Sequence, residues 1–322
     1  MYAIVAMSGM GFLLCGAAMG EAFGVPKIAG DYVNIYQPAG DAFQGPSDEP
    51  LEAGIYYEDW VANDHCFVRD EGGRWHLFGI THPESGLENV HAGEYQSFHA
   101  LAPEGSLSQT LSVGAWKDQP KVLPPKERPG ERPENHAPSI VQVEGVYHMI
   151  YGPTPLRHAT SNDLYDWKPQ GPLKNSIVSR DPCLFFWENE WHVLTCGVFD
   201  VRMAVLRNFS NCEEPRVIFE HASGVDPESP TLIQRDGTFY LFVCDWNGVW
   251  DKKDLWGAYQ HLTRVYRSDD PFHFETENEI AQIDAHAPEI IRGEKENEWF
   301  ISSAEWPYRG VSIAPLVWTH HP

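Results

Sequence analysis

An all-β fold, a five-bladed β-propeller of four-stranded antiparallel blades around a central channel, is predicted by three observations. A short phrase recurs five times: one polar residue, an apolar run, a polar turn, and a second run rich in aromatics. The polar residues are Asp64, His136, Asp181, Glu228 and His286, separated by 72, 45, 47 and 58 residues. Those intervals match four-stranded blades, with insertions in the first and last. No long stretch carries the 3.6-residue apolar period of an amphipathic helix. Twelve Trp, 13 Tyr and 16 Phe, with 27 Gly and 25 Pro, suit many short strands joined by tight turns.

The elements follow in order. Tyr2 to Gly20 holds no charged residue and ends in small side chains, which reads as a secretory signal cleaved after Gly20 or Gly24. Residues 1–24 are therefore assigned to a leader and 25–322 to one propeller domain. No Lys or Arg precedes the apolar run, which keeps an uncleaved N-terminal anchor open. Each repeat then reads as a hairpin, with turns at Asp70–Gly73, Glu144-Gly145, Glu188–Glu190, Arg235–Gly237 and Glu294–Asn297. Pro120 to Pro138, with its six prolines and interspersed charges, reads as a solvated connector into the second blade. Either Asp31–Tyr36 or Val311–Trp318 should pair into the last blade and close the ring.

Lys+Arg total 23 against 46 Asp+Glu, a net charge of −23. Such a surface repels nucleic acid and anionic membranes. Beyond the leader no stretch is long and apolar enough to span a bilayer. Cys66, Cys183, Cys196, Cys212 and Cys244 form no CxxC pair, so a zinc or redox motif is not indicated. Cys183 and Cys196 flank one hairpin and could bridge; buried free thiols are the other reading.

In a propeller the first strand of each blade lines the channel, and all first strands run the same way. The residue just ahead of each therefore lands at one mouth. Three carboxyls and two imidazoles would converge there. Crowded carboxylates push one another's pKa values apart, so one can stay protonated while another is ionised. Glycosidic cleavage needs that pair: an acid for the leaving oxygen and a carboxylate as base or nucleophile.

The motifs resemble those of the five-bladed glycoside hydrolases of families 43 and 62, and 32 and 68. These carry Asp, Asp and Glu on the first, third and fourth blades, as do Asn63-Asp64, Arg180-Asp181-Pro182 and Glu228-Ser229-Pro230 here. His136-Ala137-Pro138 is similar to the Trp-Ala-Pro that opens the second blade of family 43. Ala159 to Trp167 resembles the Ala-Thr-Ser-x-Asp-Leu-x-x-Trp segment of these enzymes. The likeness spans Asn63 to Ser303. The fructosidase Asn-Asp-Pro-Asn-Gly is Asn63-Asp64-His65-Cys66-Phe67 here, a departure from that branch.

The resemblance implies Asp64 as general base or nucleophile, Asp181 as the carboxylate that tunes the others, and Glu228 as general acid. Asp226 competes with Glu228 for the acid role. His136, Arg180, His286, Trp60 and Trp246 are candidate substrate-binding residues, with Trp187, Trp306 and Arg202 as lesser ones. No cofactor is required, although the resemblance allows a calcium ion at the channel, with His286 its candidate ligand. A secreted or periplasmic monomer acting on arabinofuranosyl, xylosyl or fructosyl linkages is expected. A silent glycan-binding propeller, or a transglycosylase or phosphorylase on the same fold, are the alternatives.

Overall fold

The computed structural model describes residues 23–39, 57, 60–83, 93–175, 179–221, 226–246, 259–305 and 310–320. The leader lies outside them apart from Phe23 and Gly24, and Trp306 lies outside as well. Two N-terminal strands come first, β1 (Gly24–Ile28) and β2 (Val33–Tyr36). Blade one is β3 (Trp60–Arg69), β4 (Trp75–Pro83), β5 (Ser97–Leu101) and β6 (Lys117–Val122). Blade two is β7 (His136–Val143), β8 (Val146–Gly152), β9 (Arg157–Ser161) and β10 (Lys168–Pro172). Blade three is β11 (Arg180–Trp187), β12 (Glu190–Cys196), β13 (Asp200–Arg207), the short β14 (Asn211–Cys212) and β15 (Arg216–Glu220). Blade four is β16 (Asp226–Arg235), β17 (Thr238–Trp246), β18 (Tyr259–Ser268) and β19 (Glu279–Ile283). Blade five holds β20 (Ile290–Arg292), β21 (Trp299–Ala304) and β22 (Val311–His320). Among the described residues no helix is long and apolar enough to cross a membrane.

The five sheets are the five predicted blades. Blade five is completed from the other end of the chain. Both β1 and β2 pair antiparallel with β22, Gly24 opposite His320 and Tyr36 opposite Val311. The two segments expected as alternative closures are thus partners in one closure. Glu144-Gly145, Glu188-Asn189 and Asp236-Gly237 all have positive φ at both residues, the primed turns whose twist matches tight hairpins.

The apolar runs do not alternate because each blade buries both faces. Five clusters fill the five seams. Leu77 of β4 faces blade five with Phe300 and Ile313, while its neighbour Phe78 faces blade two with Met149. Ile150 meets Val193 across the next seam, Leu194 meets Leu241 across the third, and Phe242 meets Ile301 across the fourth.

One expectation is corrected and one choice is decided. The proline stretch is not a plain connector: it folds around Arg128, 2% exposed, whose guanidinium donates to the carbonyls of Leu123, Arg132, Pro133 and Tyr95. Of the two readings of Cys183 and Cys196, buried thiols hold: the five described cysteines are buried and none forms a disulfide.

Candidate active site

Every blade enters the channel through the same three-residue frame. The ladder breaks between Ala62 and His65, His136 and Ser139, Arg180 and Cys183, and Glu228 and Thr231. Ala137, Asp181, Ser229 and Ala287 all take a left-handed φ between 41° and 54°. A bulge of this kind re-aims side chains at a sheet end. Matched by the residues that line the channel, the first positions are Asn63, His136, Arg180, Glu228 and His286, and the second are Asp64, Ala137, Asp181, Ser229 and Ala287; the break in blade one falls one residue earlier than the others, and Asp64 does not share their left-handed φ. Asp64 and Asp181 stand one place later than the expected alignment with Glu228. The chemistry occupies two adjacent positions, not one.

The second-position side chains line the channel throat, with Pro138, Pro182, Pro230 and Pro288 behind them. Ser229 Oγ donates to Asp64 Oδ1, joining blades four and one. The Ser229 N–H donates to Asp181 Oδ2 at 3.3 Å. Arg180 Nη1 donates to Asp181 Oδ2 at 2.5 Å and to Glu228 Oε1 at 3.1 Å. Its Nη2 reaches the Pro227 carbonyl at 3.1 Å. Asp64, Asp181 and Glu228, from three blades, are thus held in one network, each less than a tenth exposed.

Burial raises Asp64 well above the ordinary carboxylate range, and the charges of Asp181 and Glu228 add to the rise; the Ser229 hydroxyl and Arg180 oppose it. Burial pushes Glu228 up to about 7, against the pull of Arg180. One guanidinium cannot balance three buried carboxylates, so the Asp64–Glu228 pair retains a proton near neutrality. Also lining the throat, Glu289 is pushed up to about 8 by burial and the charge of Asp64.

The other candidates divide. Trp246 lies at the site, with the Arg180 guanidinium 5.1 Å from its ring centroid. His136 stands at the mouth, 22% exposed, its Nε2 2.7 Å from the buried Glu94 carboxylate. Neither residue at the remaining expected subsites offers a surface. Trp60 is fully buried, its indole N–H donating to the Tyr57 carbonyl at 2.9 Å, so it packs blade one. His286 is fully buried between Asn63 Oδ1 at 3.0 Å and Cys244 Sγ at 3.4 Å, too deep to touch a sugar hydroxyl. Trp187 lies at the far end of β11 against Phe239. Arg202 forms a 2.7 Å ion pair with Asp200.

Calcium takes about six to eight oxygen ligands. A thiol, an imidazole and a single carboxylate around His286 do not supply them. Sequence reasoning missed Ser229, Asn63, Cys244, Glu94 and Glu289. Ser229 was accessible through the proline that follows it in the frame; Glu94 carries no such signal.

No family model and no curated protein matches the chain. Solved structures do. A β-xylosidase, RS223, is 15% identical over 80% of this chain and 92% of its own, with a TM-score of 0.61. An exo-1,5-α-L-arabinanase from a bovine ruminal metagenomic library is 17% identical over 81% and 97%, with a TM-score of 0.56. The xylosidase/arabinofuranosidase CoXyl43 from a compost microbial metagenome, crystallised with xylotriose in a calcium-free form, is 14% identical over 88% and 95%, with a TM-score of 0.59. At such identities the likeness is one of fold: the chain shares the five-bladed propeller of these family 43 glycoside hydrolases.

Proposed function

We propose that this protein is a glycoside hydrolase that cleaves a pentosyl linkage of the xylosyl or arabinofuranosyl type. One observation carries the reading: Asp64, Asp181 and Glu228, brought from three blades, share one buried network with a single guanidinium. Glu228, protonated near neutrality, donates to the leaving oxygen. Asp64 attacks the anomeric carbon or takes a proton from the attacking water. Asp181 keeps Arg180 fixed and, with it, sets the charge that Asp64 and Glu228 feel. Trp246 offers an aromatic face beside Arg180 for the sugar.

The pentosyl choice rests on the structural neighbours, whose names are xylosidases and arabinanases. Phosphorolysis is disfavoured because Arg180 is already committed to two carboxylates. An extracellular or periplasmic site of action goes with this reading, supported by the uncharged segment Tyr2–Gly20.

The test is a panel of aryl xylosides, arabinofuranosides and fructofuranosides, with the first-formed anomer followed by proton NMR. Release of a single anomer from a pentoside is expected. A folded chain that turns over no glycoside would sink the proposal.

A further inference from the structure

Beside the proposed acid, the seam between blades four and five gathers groups of a different chemistry. Glu228 in β16 and Cys244 in β17 are cross-strand partners, so their side chains stand together on one face. His286 arrives from the next blade, ahead of β20, and its Nδ1 lies 3.4 Å from Cys244 Sγ. A carboxylate oxygen of Glu228, the Cys244 sulfur and a ring nitrogen of His286 all lie within 4.8 Å of one another. Cys244 and His286 are 0% exposed and Glu228 7%.

Two further features single out this cluster. Glu228 Oε1 accepts from Arg180, but the buried Oε2 has no hydrogen-bond partner among the described residues. On the other side, His286 Nε2 lies 3.0 Å from Asn63 Oδ1. An amide oxygen only accepts, so Nε2 carries the ring proton and Nδ1 turns a lone pair toward sulfur. Metal-ligating histidines are oriented by an outer hydrogen bond of this kind. A tetrahedral ion ~2.0 Å from nitrogen and ~2.3 Å from sulfur would separate the two by roughly 3.5 Å. The observed gap already has that size.

We propose that Glu228, Cys244 and His286 form a site for a thiophilic divalent cation of the zinc class, with a fourth position left to water, and that its occupancy shuts off the enzyme. On binding, the Cys244 thiol gives its proton to solvent, as does Glu228 where it carries one; nothing is oxidised or reduced. Glu228 then has no proton for a leaving oxygen. That consequence rests on the hydrolase reading; the binding itself does not.

Cobalt(II) titrated into the full chain under reducing conditions tests the site directly. One equivalent should give the near-ultraviolet thiolate-to-cobalt band, chased by zinc and untouched by a large excess of calcium. Cys244→Ser should remove the band and Cys183→Ser should keep it, with circular dichroism confirming that each folds. Should Cys244→Ser not fold, Asn63→Ala provides the second arm and should weaken binding on the order of 10–100-fold. A folded wild type without the band, a band that survives Cys244→Ser, or full affinity in Asn63→Ala overturns the site. Stoichiometric zinc should abolish wild-type turnover while leaving the rate of Cys244→Ser the same with and without the ion. Equal inhibition of both overturns the link to catalysis. Cobalt binding by a chain that hydrolyses no glycoside supports the site and removes the hydrolase reading alone.

Discussion

Glu228 donates only while protonated, and its pKa of about 7 puts that proton on the edge of neutrality. The rate term kcat/KM should therefore fall as pH rises through about 7. Arg180 pulls Glu228 down, so Arg180→Gln should move that limb upward; a pH–rate profile with the limb unmoved would break the pairing. Glu289 permits a separate check on stability. Its carboxyl is raised from 4.5 to about 8 in the fold, so below 4.5 both folded and unfolded states are protonated. Between those values the unfolded state ionises while the folded state does not, and stability falls with rising pH. Glu289→Gln cannot ionise. Its melting temperature should gain on the wild type steadily from pH 4.5 to 8 and hold the gain above; a constant difference across that range would contradict the burial of the charge. The five repeated polar residues were legible because each precedes an apolar run. Their partners were not: Ser229 and Asp64 lie 165 residues apart, and His286 and Asn63 lie 223 apart. Only ring closure brings such pairs together.

The bulge at the head of each inner strand converts a ladder into a site. Its extra residue shifted Asp181 by one place relative to Glu228, and a bulge leaves no composition signal of its own. The proline of the frame was visible, but its meaning as a marker of a shared backbone turn emerges only from the left-handed φ at Asp181, Ser229 and Ala287. In blade one the bulge depends on Gly79, which pairs with His65. A Cβ there would meet the Asp64 carbonyl oxygen and a Phe98 ring carbon at 2.6 Å. Gly79→Ala should therefore cost about 1–3 kcal/mol in a urea melt, as overpacking does, and should lower activity by moving Asp64. Gly152 pairs with His136, the residue on the other side of the break in blade two, and has its nearest such contact at 3.6 Å. Gly152→Ala should lose far less. Equal losses at the two glycines would remove the special role given to the first.

For the whole molecule, the site exists because five wedges close a ring. Asp64, Asp181 and Glu228 come from blades one, three and four, so any slippage between blades separates them. Closure depends on β1 and β2 covering the edge of β22. Removing residues 24–28 would expose that edge, a template for pairing with other chains. The truncated protein should melt at lower temperature and aggregate on heating; an unchanged melt would show that β2 alone closes the ring. The ring itself was legible from the repeat spacing. Which terminal segment closed it was not, because two short strands share one partner.

The roles of Asp64 and Glu228 are most directly separated by the leaving group. Two glycosides of one sugar suffice, one releasing an acidic nitrophenol and one releasing an alcohol that needs a proton. Glu228→Gln should lose about 10²–10⁴-fold on the alcohol and little on the nitrophenol, while Asp64→Asn should lose heavily on both. Equal losses of Glu228→Gln on the two substrates, or recovery by Asp64→Asn on the nitrophenol, would contradict Glu228 as the acid.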